Sequence, residues 1–187
     1  MFRTKFSYLF FSLLLLNGSQ GSANEEGAFR FGLSAGNVLF SSDIQGTSKG
    51  AIGFGGFGSF FASDEMALNL GYFTSSHGDL KHHEINITMN YYFGGYDALF
   101  WHFLGGVSFV RNPYRDTTTV QPADVEGSAM GIIAGLGGEF RVSEQAGLSL
   151  VGYLNKVFPS ETQLSNGNKV TLVKDTFNVM LNAFLNF

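Results

Sequence analysis

The last eleven residues, Phe177-Asn-Val-Met-Leu-Asn-Ala-Phe-Leu-Asn-Phe187, place an apolar residue at every odd position and close on an aromatic. Successive side chains of a strand point to opposite faces. Phe177, Val179, Leu181, Ala183, Leu185 and Phe187 therefore form one apolar stripe, and Asn178, Asn182 and Asn186 line the other face. About 9–11 residues tilted near 45° cross a bilayer, so this stripe has the length of a membrane strand.

Seven earlier segments repeat the pattern, at residues 29–39, 51–61, 66–74, 83–93, 99–109, 130–140 and 146–156, and 177–187 is the eighth. In the fourth, Ile85, Ile87, Met89, Tyr91 and Phe93 face away from Glu84, Asn86, Thr88 and Asn90. In the sixth, Met130, Ile132, Ala134, Leu136 and Phe140 oppose Gly131, Gly135, Gly137, Glu139 and Arg141. The second is the least regular, since Ile52, Phe54 and Phe60 share one parity while Phe57 and Phe61 take the other; a bulge among its glycines would account for that. Longer connections are expected after segments one, three, five and seven, at residues 40–50, 75–82, 110–129 and 157–176. Short turns are expected at 62–65, 94–98 and 141–145. Pro113, Pro122 and Pro159 all fall in the longer connections, as expected of a residue that cannot donate to a ladder.

The N-terminus adds an address. Arg3 and Lys5 precede an apolar run from Phe6 to Leu16, and Gly21-Ser22-Ala23 supplies small residues, the order of a secretory signal peptide. Residues 1–23 are therefore set apart as a leader, and 24–187 form the folding domain. No other stretch approaches the roughly 18 apolar residues of a membrane helix, so a spanning mature chain has to be a barrel. Charged residues make up 14% of the chain, against about 25% in ordinary soluble domains, while aromatics reach 16%. Taking the leader's two basic residues from the 11 present leaves nine against 15 acidic side chains, a net charge of −6, which argues against nucleic acid as a partner. With no cysteine, a disulfide framework and a thiolate site are excluded.

Alternation alone does not say which face turns outward, and a lipocalin-like soluble barrel also alternates. The polar face decides the expectation: it carries mainly Asn, Thr, Ser, Gly and isolated charges rather than rows of Lys and Glu, which suits a confined lumen. Tyr91, Tyr92, Phe93, Tyr96 and Trp101 gather around one short turn in the manner of an interfacial girdle. In strand count, size and C-terminal stripe the chain resembles small bacterial outer-membrane barrels of the OmpA/OmpX-like superfamily. The resemblance implies an all-β, eight-stranded antiparallel up-and-down barrel in the outer membrane, with both termini in the periplasm and the long loops outside. It implies that Phe187, Leu185 and Ala183 are read by the barrel-assembly machinery, and that membrane lipid and lipopolysaccharide surround a monomer.

Catalytic motifs are weak. Gly53-Phe-Gly-Gly-Phe-Gly58 has glycine spacing of a phosphate loop, but no amphipathic helix follows. Ser75-Ser-His77-Gly-Asp79 holds the residue types of a hydrolase triad crowded into one segment, read as a polar loop. His82 and Glu84 share a face and lack an evident third ligand for a metal. The His-x-Ser pairing of one outer-membrane deacylase family is not found. The expectation is therefore no enzyme, no cofactor and no metal. Inward charges fall in two layers, Arg30 with Glu139 and Arg141 near one end, Glu84 with Lys174 and nearby His82 near the other, and pairing across the lumen would close it. The function expected is structural or surface interaction through the loops at 112–128 and 159–173. A narrow channel or small-ligand transporter of the OmpW kind is the alternative, and a lipid-modifying enzyme follows behind it. Glycines 131, 135 and 137 either leave lumen space or accept large inward side chains such as Tyr153, Phe73 or His102.

Overall fold

The computed structural model describes residues 26–44, 47–96, 98–117, 122–159 and 161–187, so the expected leader lies outside the described residues. Eight long strands are present: β1 (Phe29–Phe40), β2 (Gly50–Ser63), β3 (Met66–His77), β4 (Leu80–Tyr96), β5 (Leu99–Asp116), β6 (Ala123–Arg141), β7 (Ala146–Pro159) and β10 (Thr176–Asn186). A two-rung hairpin, β8 (Thr162–Gln163) with β9 (Lys169–Val170), sits in the last connection. All long strands pair antiparallel with their sequence neighbours, and β10 pairs with β1 to close the barrel.

Following the register from Arg30 through Ser59, Asn69, Thr88, Gly106, Ile133, Asn155 and Thr176 returns to β1 at Phe40, ten residues further on. That stagger sets the strands about 35–45° from the axis and leaves an interior that side chains can fill. The apolar parity points outward. Leu33, Ile52 and Leu154 are 63%, 71% and 61% exposed, within a belt that continues around every strand. An apolar band of this extent does not face water on a soluble protein, so the lipocalin-like alternative is excluded. Tyr91, Phe93 and Trp101 lie in the belt, whereas Tyr92 turns into the lumen and is buried, contrary to its place in the expected girdle.

Four features depart from the sequence reading. β2 has no bulge among its glycines: its register with β1 is unbroken from Leu39↔Gly50 to Phe29↔Phe60, and the single irregularity lies between Phe61 and Ser63. Phe57 and Phe61 keep the inward parity as large lumen groups, with Phe57 filling the space that a side chain at Gly32 would need. The connection expected at residues 75–82 shrinks to Gly78 and Asp79, where Gly78 takes φ 70°, a backbone that glycine reaches without the cost of a Cβ. The expected loop at 110–129 is largely strand, because β5 and β6 remain paired as far as Asp116↔Ala123. Above the belt the outward face turns polar, at Arg111, Arg115, Asp124 and Glu126, while Val110, Tyr114, Val125 and Ala129 face inward, so the outward apolar stripe ends while the ladder continues. Pro113 thus lies within β5 and Pro159 ends β7. The β4–β5 ladder skips Lys81 and His82, on the partner strand across from Asn112 and Pro113, where the imino nitrogen has no hydrogen to donate.

Lumen glycines receive bulk from other strands. A Cβ at Gly135 would strike Tyr153, one at Gly137 would strike His102, and one at Gly53 or Gly55 would strike Phe73. These glycines accept inward side chains and do not open the lumen at their own positions.

Candidate functional site

The strands enclose a polar lumen, and its contents change with height. At the short-turn end Arg30 and Glu139, both buried, meet through two bonds, Nη1 to Oε2 at 2.6 Å and Nη2 to Oε1 at 2.9 Å. Arg30 also gives Nε to Asn186 Oδ1 at 2.8 Å and Nη1 to the Tyr92 hydroxyl at 3.1 Å. Its guanidinium lies over Phe184 at 3.8 Å and Phe61 at 4.9 Å. Arg141 gives Nε to Glu139 Oε1 at 3.4 Å and rests on Phe100 at 3.9 Å. The structure thus brings Arg30, Glu139 and Arg141 together. Tyr92, Asn186, Phe61 and Phe184 complete the floor and were not anticipated, since their roles depend on strands up to 156 residues apart.

Above the floor lies a chamber of about 100 Å3 whose wall includes Asn69, Asn90, His102, Ser149 and Asn182. An apolar collar of Val38, Phe73, Leu104, Ile133, Tyr153 and Met180 roofs it.

Beyond the collar stands buried Glu84, and its partners differ from expectation. Tyr153 Oη donates to Oε1 at 2.9 Å, Asn155 Nδ2 to Oε2 at 2.9 Å and Asn86 Nδ2 to Oε1 at 3.3 Å; His82 Nε2 lies 3.7 Å from Oε2. Lys174 is not among them. It sits half-buried before β10, where consecutive Leu172 and Val173 both turn into the barrel mouth, so the two-residue parity that would have aimed Lys174 at Glu84 fails there. His82 Nδ1 donates to Asn112 Oδ1 at 3.0 Å, and Asn112 Nδ2 donates to the Leu172 carbonyl at 2.8 Å, tying the last connection to the lumen. Leu172 then joins Phe40, Ile44, Leu80 and Tyr114 in an apolar cap over the mouth.

Ser75 and His77 lie on β3 rather than in a loop. The Ser75 hydroxyl donates to His77 Nε2 at 2.9 Å, and Nδ1 donates to the Ser48 carbonyl at 2.9 Å. This has the order of nucleophile, base and orienting group, but both side chains are sealed, His77 at 0% exposed against Phe40, with no carboxylate behind it. Among the described residues no three His, Cys, Asp or Glu side chains converge on a metal position. Outside the belt, Arg111 Nη2 donates to Glu126 Oε2 at 2.5 Å, and this bond holds the Glu126 carboxyl below the usual carboxylate range.

A closed barrel of eight strands with an apolar exterior and a filled polar lumen defines a class, the small transmembrane β-barrels of the outer-membrane type. Three solved structures similar to this chain belong to that class. The outer membrane protein OprG of Pseudomonas aeruginosa superposes with a TM-score of 0.65 at 14% identity, covering 89% of this chain and 99% of that one. Neisserial surface protein A gives 0.57 at 13%, covering 85% and 94%. The N-terminal barrel domain of OprF from Pseudomonas aeruginosa gives 0.56 at 15%, covering 87% and 98%. Sequence comparison returns no match, either to a family model or to a curated protein.

Proposed function

We propose that the protein is a monomeric barrel of the bacterial outer membrane whose lumen is closed and whose role is structural or adhesive, exercised by what it presents outside the cell. One observation carries this reading: the lumen is occupied at successive heights by the Arg30–Glu139 floor, the Phe73–Tyr153 collar and the Leu172 cap. A general diffusion pore needs a continuous wet path, and eight strands already leave an interior that side chains fill. What such a barrel can offer is its exterior and its rim. The β5–β6 hairpin continues seven rungs past Phe109↔Met130, standing well above the belt. Lipid and lipopolysaccharide would meet the belt, and the barrel-assembly machinery would meet the β10 ending. No catalysis is assigned, since the Ser75–His77 pair has no access to substrate. Planar-bilayer recordings test the reading. The purified barrel is expected to show little steady conductance, and large stable openings would overturn it. Exchanging residues 117–122 for a Gly-Ser linker should leave the folded barrel intact and abolish adhesion of displaying cells to matrix proteins and surface glycans.

A further inference from the structure

The chamber between floor and collar contains a concentration of unmet hydrogen bonding. Asn69 Nδ2, Asn90 Oδ1 and both ring nitrogens of His102 are buried without a protein partner, and all three residues line it. His102 is 2% exposed and Asn69 8%. The Ser59 hydroxyl donates to Asn69 Oδ1, which leaves the amide nitrogen to give. A neutral imidazole gives at one nitrogen and accepts at the other. The wall therefore offers two donors and two acceptors in one place, where native interiors leave few such groups unpaired.

The surroundings restrict the occupant. Arg30 is committed to Asn186, Tyr92 and Glu139, and Glu139 takes Arg141 as well. No ionic group of the wall stands free to hold an ion. The roof is carbon, with Phe73, Leu104, Ile133 and Met180 facing the chamber. Water alone would meet the polar groups and leave its upper layer against that carbon, whereas a molecule with an apolar body and a neutral polar head matches both ends. We propose that the chamber is a binding site for a small neutral amphiphile. Its head gives and accepts hydrogen bonds at His102, Asn69 and Asn90, as a primary amide or short alcohol does. An engineered apolar cavity of roughly 150 Å3 takes benzene, with its six carbons, which sets the size here at about four to five non-hydrogen atoms. The site stands independently of what the loops bind, and its test does not use conductance.

The experiment titrates the folded mature barrel in lipid nanodiscs with three molecules of one shape, propionamide, propionate and propionamidinium, while the His102 ring is followed by NMR. Each probe is added both after folding and during refolding, because both ends of the lumen are closed. Propionamide is expected to give a saturable shift of the His102 ring, weakened at least tenfold in Asn69→Leu, while the two ions give none. Asn69→Ala serves if the leucine variant does not fold, judged by heat-modifiable migration. No saturable shift with propionamide would overturn the site and assign the chamber to water. An equal response to all three probes, or an unchanged affinity in the folded variant, would overturn it also.

Discussion

Arg30 is held between one carboxylate, one hydroxyl, one amide and two aromatic rings, an environment that compensates its charge only while Glu139 remains ionised beside it. Removing one member of a buried pair leaves the other uncompensated, at about 3–5 kcal/mol. Glu139→Gln, which keeps the shape, should therefore lower stability by about that amount, read from urea titration of the folded form on a cold gel. Arg30→Met combined with Glu139→Leu should recover most of the loss, since an apolar pair has no charge to desolvate. If the double variant is no better than the single, the charge argument fails. Gly135 tests packing in the same lumen. Its missing Cβ is where Tyr153 lies, so Gly135→Leu should destabilise by about 1–3 kcal/mol through overpacking. The exposed Arg111–Glu126 pair, at 58% and 42%, contrasts with these. The Glu126 carboxyl is lower in the folded state, so what the pair contributes is present above the ordinary carboxylate range and fades as pH falls through the depressed value. Exposure and salt screen it, and Arg111→Ser should leave melting unchanged within error.

Among the strands, β10 closes the barrel against β1. The Phe187 amide donates to the Phe29 carbonyl at 2.8 Å, Phe29 returns a bond at 3.1 Å, and the Phe187 ring meets Phe31 edge-on at 6.0 Å. Deleting Phe187 removes the last closure bonds along with the last apolar anchor, so the heat-modifiable folded form in the outer membrane should fall sharply; normal levels would count against a role in assembly. The β5–β6 hairpin carries the topology prediction. With the tall end outside, Asp124→Cys should react with a membrane-impermeant maleimide on intact cells and Glu144→Cys, in the β6–β7 turn, should not. Reversed labelling would invert the barrel. Strand cores were legible because lipid on one face and lumen on the other impose a two-residue period. Strand ends were not. Beyond the bilayer the outward face of β5 and β6 turns polar, at Arg111, Arg115, Asp124 and Glu126, while Val110, Tyr114, Val125 and Ala129 face inward, so residues 110–116 and 123–129 lose the outward apolar stripe although hydrogen bonds hold them as strand.

For the molecule as a whole, the proposed closure of the lumen is the property to test. Because floor, collar and cap stand in series, opening any one leaves the others in place. Glu139→Ala alone is expected to raise brief, noisy events in bilayer recordings without giving a stable open level. A single substitution that produces steady conductance would show that the layers do not act in series.

The primary structure by itself determined the eight strands, their parity and their antiparallel order, because each depends on neighbours two residues or one turn away. It also placed Arg30, Glu139 and Arg141 on the inward face at one height, and the fold unites them. The small polar residues of the other face also pointed the apolar stripe toward lipid, as the fold has it; only the tertiary structure decided which side chains met across the lumen. The stagger of ten brings Glu84 to Tyr153 and Asn155, 69 and 71 residues away, where local pattern pointed to Lys174. It also decided that glycines at 131, 135 and 137 receive side chains, and that Leu172 and Val173 leave the strand period to cover the mouth. Those outcomes depend on shape and register around a closed sheet, where every strand's position is set by the seven others.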